Sequence, residues 1–170
     1  MAATHHFTPR THARLTAELY DLTTRGRIEV ADKIEAARLL GDLKENGDYH
    51  AAKDEQGHME SRIRVLEHYL DPDNHVVVSP AADGTVCPGT IVTIVYEGDA
   101  DSDAEQYLVG HPEEKASDST LDIISPESPL GTALIGDDSR PGASEGAWVD
   151  FKAPNGATLR VRILKVDVIA

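Results

Sequence analysis

GDLKENGDY, residues 41–49, sits between two long stretches of helical periodicity, and its reading decides the fold. Before it, from about Thr11 to Leu40, apolar residues recur at helical spacing: Leu15, Leu19, Leu22, then Val30, Ile34 and Ala37, with Gly26 interrupting the stripe. Thr8-Pro9 marks the start, since proline is tolerated in a first helical turn. After it, Tyr49, Ala52, Gln56, Met59, Ile63, Leu66 and Leu70 step alternately by three and four, a heptad seam with one polar member. Charged residues (Lys53, Asp54, Glu55, Glu60, Arg62, Arg64, Glu67) fill the other faces, and Asp71-Pro72 ends the run. Two such helices joined by so short a connection predict an antiparallel coiled-coil hairpin with its bend at 41–47. A helix of about 28 residues runs roughly 40 Å at ~1.5 Å per residue. Each helix has one seam to bury, so the hairpin reads as a thin rod, a form suited to reaching into something.

From Val76 the period changes. VVVS, TIVTIVYE, QYLVG, TLDIIS, AWVDFK and TLRVRILKVDV are short, β-branched runs, several of them alternating. Leu159, Val161 and Ile163 share one face of the last strand, with Arg160 and Arg162 opposite. Asn155-Gly156 is a hairpin turn signal before that strand. SPLGTALIG interrupts the strands, and its Ser128-Pro129 start and Gly136 stop predict one short helix over the sheet. The fold class is therefore α+β: a hairpin over 1–75, then a small mixed β-sheet domain with one helix over 76–170, the boundary falling between Asp73 and Ala82.

Charge divides along the same line. Residues 1–70 carry 10 Lys/Arg against 12 Asp/Glu, and residues 71–170 carry 6 against 18, so most of the net charge of −14 lies in the second half. A chain this acidic does not wrap nucleic acid through phosphate contacts. The single cysteine, Cys87, excludes an internal disulfide and fits a reducing compartment. MAATHHFTPR lacks the apolar centre of a signal peptide, and no run reaches membrane-spanning length. The expected location is the cytoplasm, with no membrane partner.

Two readings compete at the bend. In one, the nonapeptide is a well-capped turn: Gly41 closes the first helix, and Asp42 with Glu45 forms a capping box. In the other, the two carboxylates are metal ligands. Mg²⁺ prefers oxygen donors and keeps several waters, so two carboxylates suffice when other ligands come from elsewhere. The capped turn leaves Leu43, an apolar residue at the far end of a rod, unexplained.

GDLKENGDYHAAKDEQGHMESRI closely resembles the tip and second helix of the bacterial Gre-type transcript cleavage factors, GreA branch, where G-D-L-[KR]-E-N-x-x-Y-H-A-A-[KR]-x-x-Q is diagnostic. Far downstream, ISPESPLGTALIG resembles the same family's S-x-x-S-P-[LI]-[GA]-x-A-L-[LI]-G stretch. The resemblance covers nearly the whole chain and implies an FKBP-like second domain. It implies a monomer whose hairpin enters the secondary channel of RNA polymerase. There Asp42 and Glu45 would help hold a second Mg²⁺ and its attacking water, so that the polymerase cuts backtracked RNA near its 3′ end. Glu127, Ser128, Pro129 and Leu130 fall where the family's polymerase-docking segment lies, with Glu127 in a place usually held by Asp or Asn. Leu43 joins them as a polymerase contact, and Arg38, Lys44 and Lys53 are placed to meet the nascent RNA. Gly47-Asp48 replaces a more helix-favouring pair found in many relatives.

The remaining candidates are weaker. His5 and His6 read as a disordered end. His50, His58 and His68 lack the i, i+4 spacing of a paired metal site and read as surface or packing residues. Cys87 has no partner base in view. Three rival functions remain: a channel binder that regulates polymerase without cleavage, a prolyl isomerase with a helical arm, and a structural coiled-coil adapter. The isomerase needs a deep aromatic pocket, and after residue 75 the aromatics are Tyr96, Tyr107, Trp148 and Phe151.

Overall fold

The two apolar seams of the hairpin differ in length by one residue. Six steps from Tyr49 to Leu70 span 21 residues, whereas six steps from Leu15 through Leu19, Leu22, Gly26, Val30 and Ile34 to Ala37 span 22. A computed structural model, describing residues 4–41, 45–115 and 119–169, shows where the extra residue goes. The first arm is helix α1 (Pro9–Asp21), one π-helical turn (Leu22–Gly26) and helix α2 (Arg27–Arg38); the second arm is α3 (Gly47–Leu70). A π turn holds one residue more than an α turn, so the inserted residue is absorbed locally and the seam stays facing its partner. Thr23 and Thr24 donate their hydroxyls to the carbonyls of Leu19 and Tyr20 at 2.7 and 2.6 Å, satisfying groups that the wider turn loosens. Gly26 keeps the arms close: a Cβ there would stand 3.1 Å from Met59 Sδ.

Cross-arm ion pairs fix the antiparallel sense. Glu18 pairs with Arg62, Arg27 with Glu60 and Lys33 with Glu55, so residue numbers rise on one arm as they fall on the other. The Arg27 guanidinium, by hydrogen bonding, holds the Glu60 carboxyl below its ordinary range. Val30, Ile34 and Ala52 form the buried centre near the bend, with Tyr49 and Met59 packed against it.

By compactness the chain divides into two units, one built on His12–His75 and the other on His5–Thr11 with the chain from Val76 onward. The second unit's main sheet runs β5 (Asp122–Ile124), β4 (Glu105–Val109), β3 (Thr90–Tyr96), β7 (Thr158–Val168), β6 (Trp148–Lys152), antiparallel except for the β4–β5 pair. The fold is α+β, as the patterning predicts. Helix α4 (Pro129–Ile135) supplies Leu134 to a core shared with Val92, Ile94, Val149, Val161 and Ile163. The alternation of β7 changes face at Leu164, where a bulge shifts the pairing from Thr93–Lys165 to Ile94–Ile163. Leu159 keeps Val161's face but is exposed, because it sits beside the hairpin turn opposite Phe151.

The N-terminal residues correct an expectation. His5–Phe7 is a strand, β1, which pairs with β2 (His75–Val77) in a separate ribbon; it is not a disordered end. Phe7 is fully buried, its ring 4.9 Å edge-on from that of His111. Three residues are too few to show a period, which is why the pattern missed this strand. Glu114 was missed as well. It is buried, and it accepts hydrogen bonds from Thr8 N–H, Thr8 Oγ1 and Thr11 Oγ1 at 2.7, 2.8 and 2.7 Å, anchoring the start of α1 within the second unit.

Candidate functional site

α2 ends in a tightened last turn, with Leu40 N–H donating to Ala37 O, three residues back, at 3.1 Å. Gly41 follows with φ +123, a backbone conformation that a side chain would strain. Asp42, Leu43 and Lys44 lie outside the described residues. The chain resumes at Glu45, exposed in a turn, and α3 begins at Gly47.

The cap of α3 differs from the expected capping box. Its N-cap is Asn46, whose Oδ1 accepts from Tyr49 N–H at 3.1 Å. Glu45 precedes α3 and does not stand at its third helical position, so it takes no part in the α3 cap, while Asp42, the other half of the expected box, lies outside the described residues. Glu45 itself is exposed and acidic, just ahead of the N-terminus of α3. Among the described residues, no group of three or more His, Cys, Asp or Glu is arranged to hold a metal ion by itself. The donors on offer at the bend are hard carboxylate oxygens, which fit a hard ion such as Mg²⁺ completed by ligands from elsewhere.

Around the bend the apolar surface is larger than the sequence reading held. Leu39 is 83% exposed and Leu40 72%, side by side at the end of α2. Below them a shallow groove of about 430 Å³ runs between the arms, lined by Ala36, Ala37, Leu40, Ala51 and Ala52 and rimmed by Lys33, Asp48 and Glu55. Both leucines belong to the helical pattern, but they fall off the seam, and that offset is the signal that could have found them. Arg38 is exposed with its guanidinium 5.9 Å from the centre of the Tyr49 ring. Lys53 is exposed on α3 and donates to Gln56 at 2.8 Å.

The segment 127–130 in the second unit is a helix start. Ser128 is the N-cap of α4: its Oγ accepts from Gly131 N–H at 3.0 Å and donates to Ser125 O at 2.7 Å. Gly131 must be glycine, since a Cβ there would lie 1.9 Å from Ser125 O. Leu130 packs against the core of the sheet. Glu127 and Pro129 are exposed, so of these four they present the free surface. Cys87 is half-buried; burial first, then the charge of Asp83, pushes its thiol up from the ordinary range, away from a nucleophilic role. His50, His58 and His68 are exposed on α3.

Comparisons with known proteins give this chain relatives over nearly its whole length. A family profile described as transcription elongation factor, N-terminal, matches residues 5–72, and one described as transcription elongation factor, GreA/GreB, C-term, matches residues 81–168. Transcription elongation factor GreA of Streptomyces coelicolor is 42% identical over 160 residues, 94% of this chain and 91% of that protein. Its namesake from Rhodococcus erythropolis is 41% identical, over 94% of this chain and 92% of its own length. Among solved structures, that of the transcription factor Gfh1 is matched at 23% identity and a TM-score of 0.44, covering 98% of this chain and 99% of that one.

Proposed function

The chain belongs to the GreA/GreB family of transcription elongation factors, and we propose that it stimulates RNA polymerase to cleave the 3′ end of backtracked nascent RNA. The observation that carries this reading is the bend itself: an exposed Glu45 carboxylate, outside the α3 cap, at the end of a two-helix hairpin with exposed Leu39 and Leu40 beside it.

The hairpin enters the secondary channel of the polymerase as a monomer in the cytoplasm. Asp42 and Glu45 are the ligands this chain contributes to a Mg²⁺ held jointly with the polymerase. When bound, that ion supplies Lewis-acid activation of water and charge stabilisation at the leaving oxygen. The two carboxylates orient the shared site, and the cross-arm ion pairs and the seam keep the hairpin stiff enough to deliver them. Arg38, Lys44 and Lys53 lie toward the RNA. Leu43 meets the channel wall, and Glu127 with Pro129 meets its rim, while Ser128 and Leu130 hold that segment in shape. The polymerase carries out the hydrolysis, and this chain acts as its cofactor and not as a nuclease.

The test is RNA cleavage in a stalled, backtracked elongation complex with and without the protein. The reading predicts faster cleavage and resumed elongation, with no nuclease activity from the protein alone. Binding that slows the polymerase with no gain in cleavage would instead make this chain a channel-occluding regulator. A proline-isomerisation assay addresses the second domain separately, and no turnover is expected.

A further inference from the structure

Asn46 makes more bonds than a helix cap requires. Its carbonyl oxygen accepts from His50 N–H at 3.1 Å, the first bond of α3, and its side-chain Oδ1 accepts from Tyr49 N–H at 3.1 Å. Asp, Ser or Thr would serve equally in both respects. The third bond leaves the helix: Nδ2 donates to Ala37 O, on the last turn of α2, at 2.6 Å. A backbone N–H only donates and a carbonyl only accepts, so these two partners fix which way the amide points. Of the good capping residues, Asn alone carries an amide acceptor and an amide donor on one rigid plane.

The clasp is set into packed surroundings. Ala37 is buried, and Tyr49 packs on the cluster of Val30, Ile34 and Ala52 with Arg38 over its ring. One side chain thus ties the end of α2 to the start of α3, and the residue it pins is bonded directly to Glu45. A carboxylate that must complete a metal site built largely on another molecule has to arrive in place, and a misplacement of about 1 Å can cost about a hundredfold in rate.

We infer that Asn46 is a positioning residue for the cleavage reaction, its amide donor to Ala37 holding Glu45 where the shared cation needs it. The inference rests on the functional reading above. The test uses the full chain carrying Asn46→Ser or Asn46→Asp. Both keep a capping oxygen and lose the amide: ionised aspartate has no donor, the serine hydroxyl sits one bond nearer the backbone than Nδ2 and does not replace its reach to Ala37, and the serine variant adds no charge. Helix content and the factor concentration giving half-maximal cleavage should match the native protein. The maximal cleavage rate should fall roughly tenfold to a hundredfold, and the Mg²⁺ concentration for half-maximal rate should rise. Native rate and Mg²⁺ requirement in Asn46→Ser would overturn the inference, even if Asn46→Asp were impaired, since that would be an effect of charge. So would a higher half-saturating concentration with the maximal rate intact, which marks a residue needed only for binding. Asp42→Asn with Glu45→Gln is assayed alongside. If that double variant still cleaves, the functional reading itself falls. If it fails while both Asn46 variants stay native, only this inference does.

Discussion

The hairpin and the β-sheet unit bury apolar surface in opposite ways. Each arm of the hairpin has one seam to hide, so its centre is a thin line in which Val30, Ile34 and Ala52 alternate with half-buried residues. The sheet unit gathers Val86, Val92, Ile94, Val109, Leu134, Val161 and Ile163 into a core nearly or wholly closed to solvent. The hairpin is held in register by charge as much as by packing, through Glu18–Arg62, Arg27–Glu60 and Lys33–Glu55. A closed core makes a stable platform. A thin seam lined with ion pairs makes a probe, and its end is free to carry chemistry.

The largest expected difference between the two lies in the response to a cavity. Leu134→Ala, at a fully buried position, should cost the sheet unit about 2–5 kcal/mol. Ile63→Ala on the hairpin seam should sit near ~2 kcal/mol, the low end for this class, because a single seam can close over the gap. Urea unfolding followed by circular dichroism at helix- and sheet-dominated wavelengths separates the two. Equal losses would break the comparison.

A smaller effect concerns docking. Glu127 is exposed just ahead of the α4 cap. Glu127→Lys should weaken polymerase binding by about tenfold, ~1.4 kcal/mol, with a changed salt dependence and an unchanged melting temperature. Leu130 is unsuitable for this test, because it packs against the core and its loss would lower stability as well.

The smallest expected effect is pH-linked and confined to the sheet unit. Burial, then the charge of nearby His5, depresses the His111 imidazole below its ordinary range, against the pull of Glu113, Glu114 and Glu127. Its Nδ1 accepts from Glu113 N–H at 3.1 Å, a bond that protonation removes. The folded state therefore favours the neutral ring. Its contribution is complete above the unfolded pKa, near 6.5, and is lost as pH falls from there through the lower folded value. Melting temperature should drop more steeply between about pH 7.5 and about pH 5.5 in the native chain than in His111→Gln, which keeps an acceptor but does not titrate. Parallel curves would remove His111 from the account.

Much of this was legible in order of residues alone. The α3 seam showed itself because the seven seam positions from Tyr49 to Leu70 obey one period, and all are buried or half-buried while Lys53, Asp54, Glu55, Arg64 and Glu67 are exposed. Ser128-Pro129 and Asn155-Gly156 marked a helix start and a turn because those residues act through their own backbone. What escaped depends on partners distant in sequence or on counting two segments against each other. The π turn appears only when 22 residues are set beside 21. Glu114 is buried because Thr8 and Thr11 come to it from more than 100 residues away. At the bend, the Asp42 and Glu45 spacing suggested a capping box, but Asn46 took the cap, since its amide also reaches Ala37.

The central claim is that the carboxylates at the bend do chemistry and not capping. The most direct measurement is the single-turnover cleavage rate of a backtracked complex saturated with native protein or with Asp42→Asn, Glu45→Gln, across Mg²⁺ concentrations and beside a binding titration. Both substitutions keep size and hydrogen bonding and remove the charge. If the shared ion lowers the barrier by ~4 kcal/mol, the double variant should bind normally, compete with the native protein and cleave about a thousandfold more slowly. A variant that binds normally and cleaves at near-native rate would contradict the account and leave the bend a turn and nothing more.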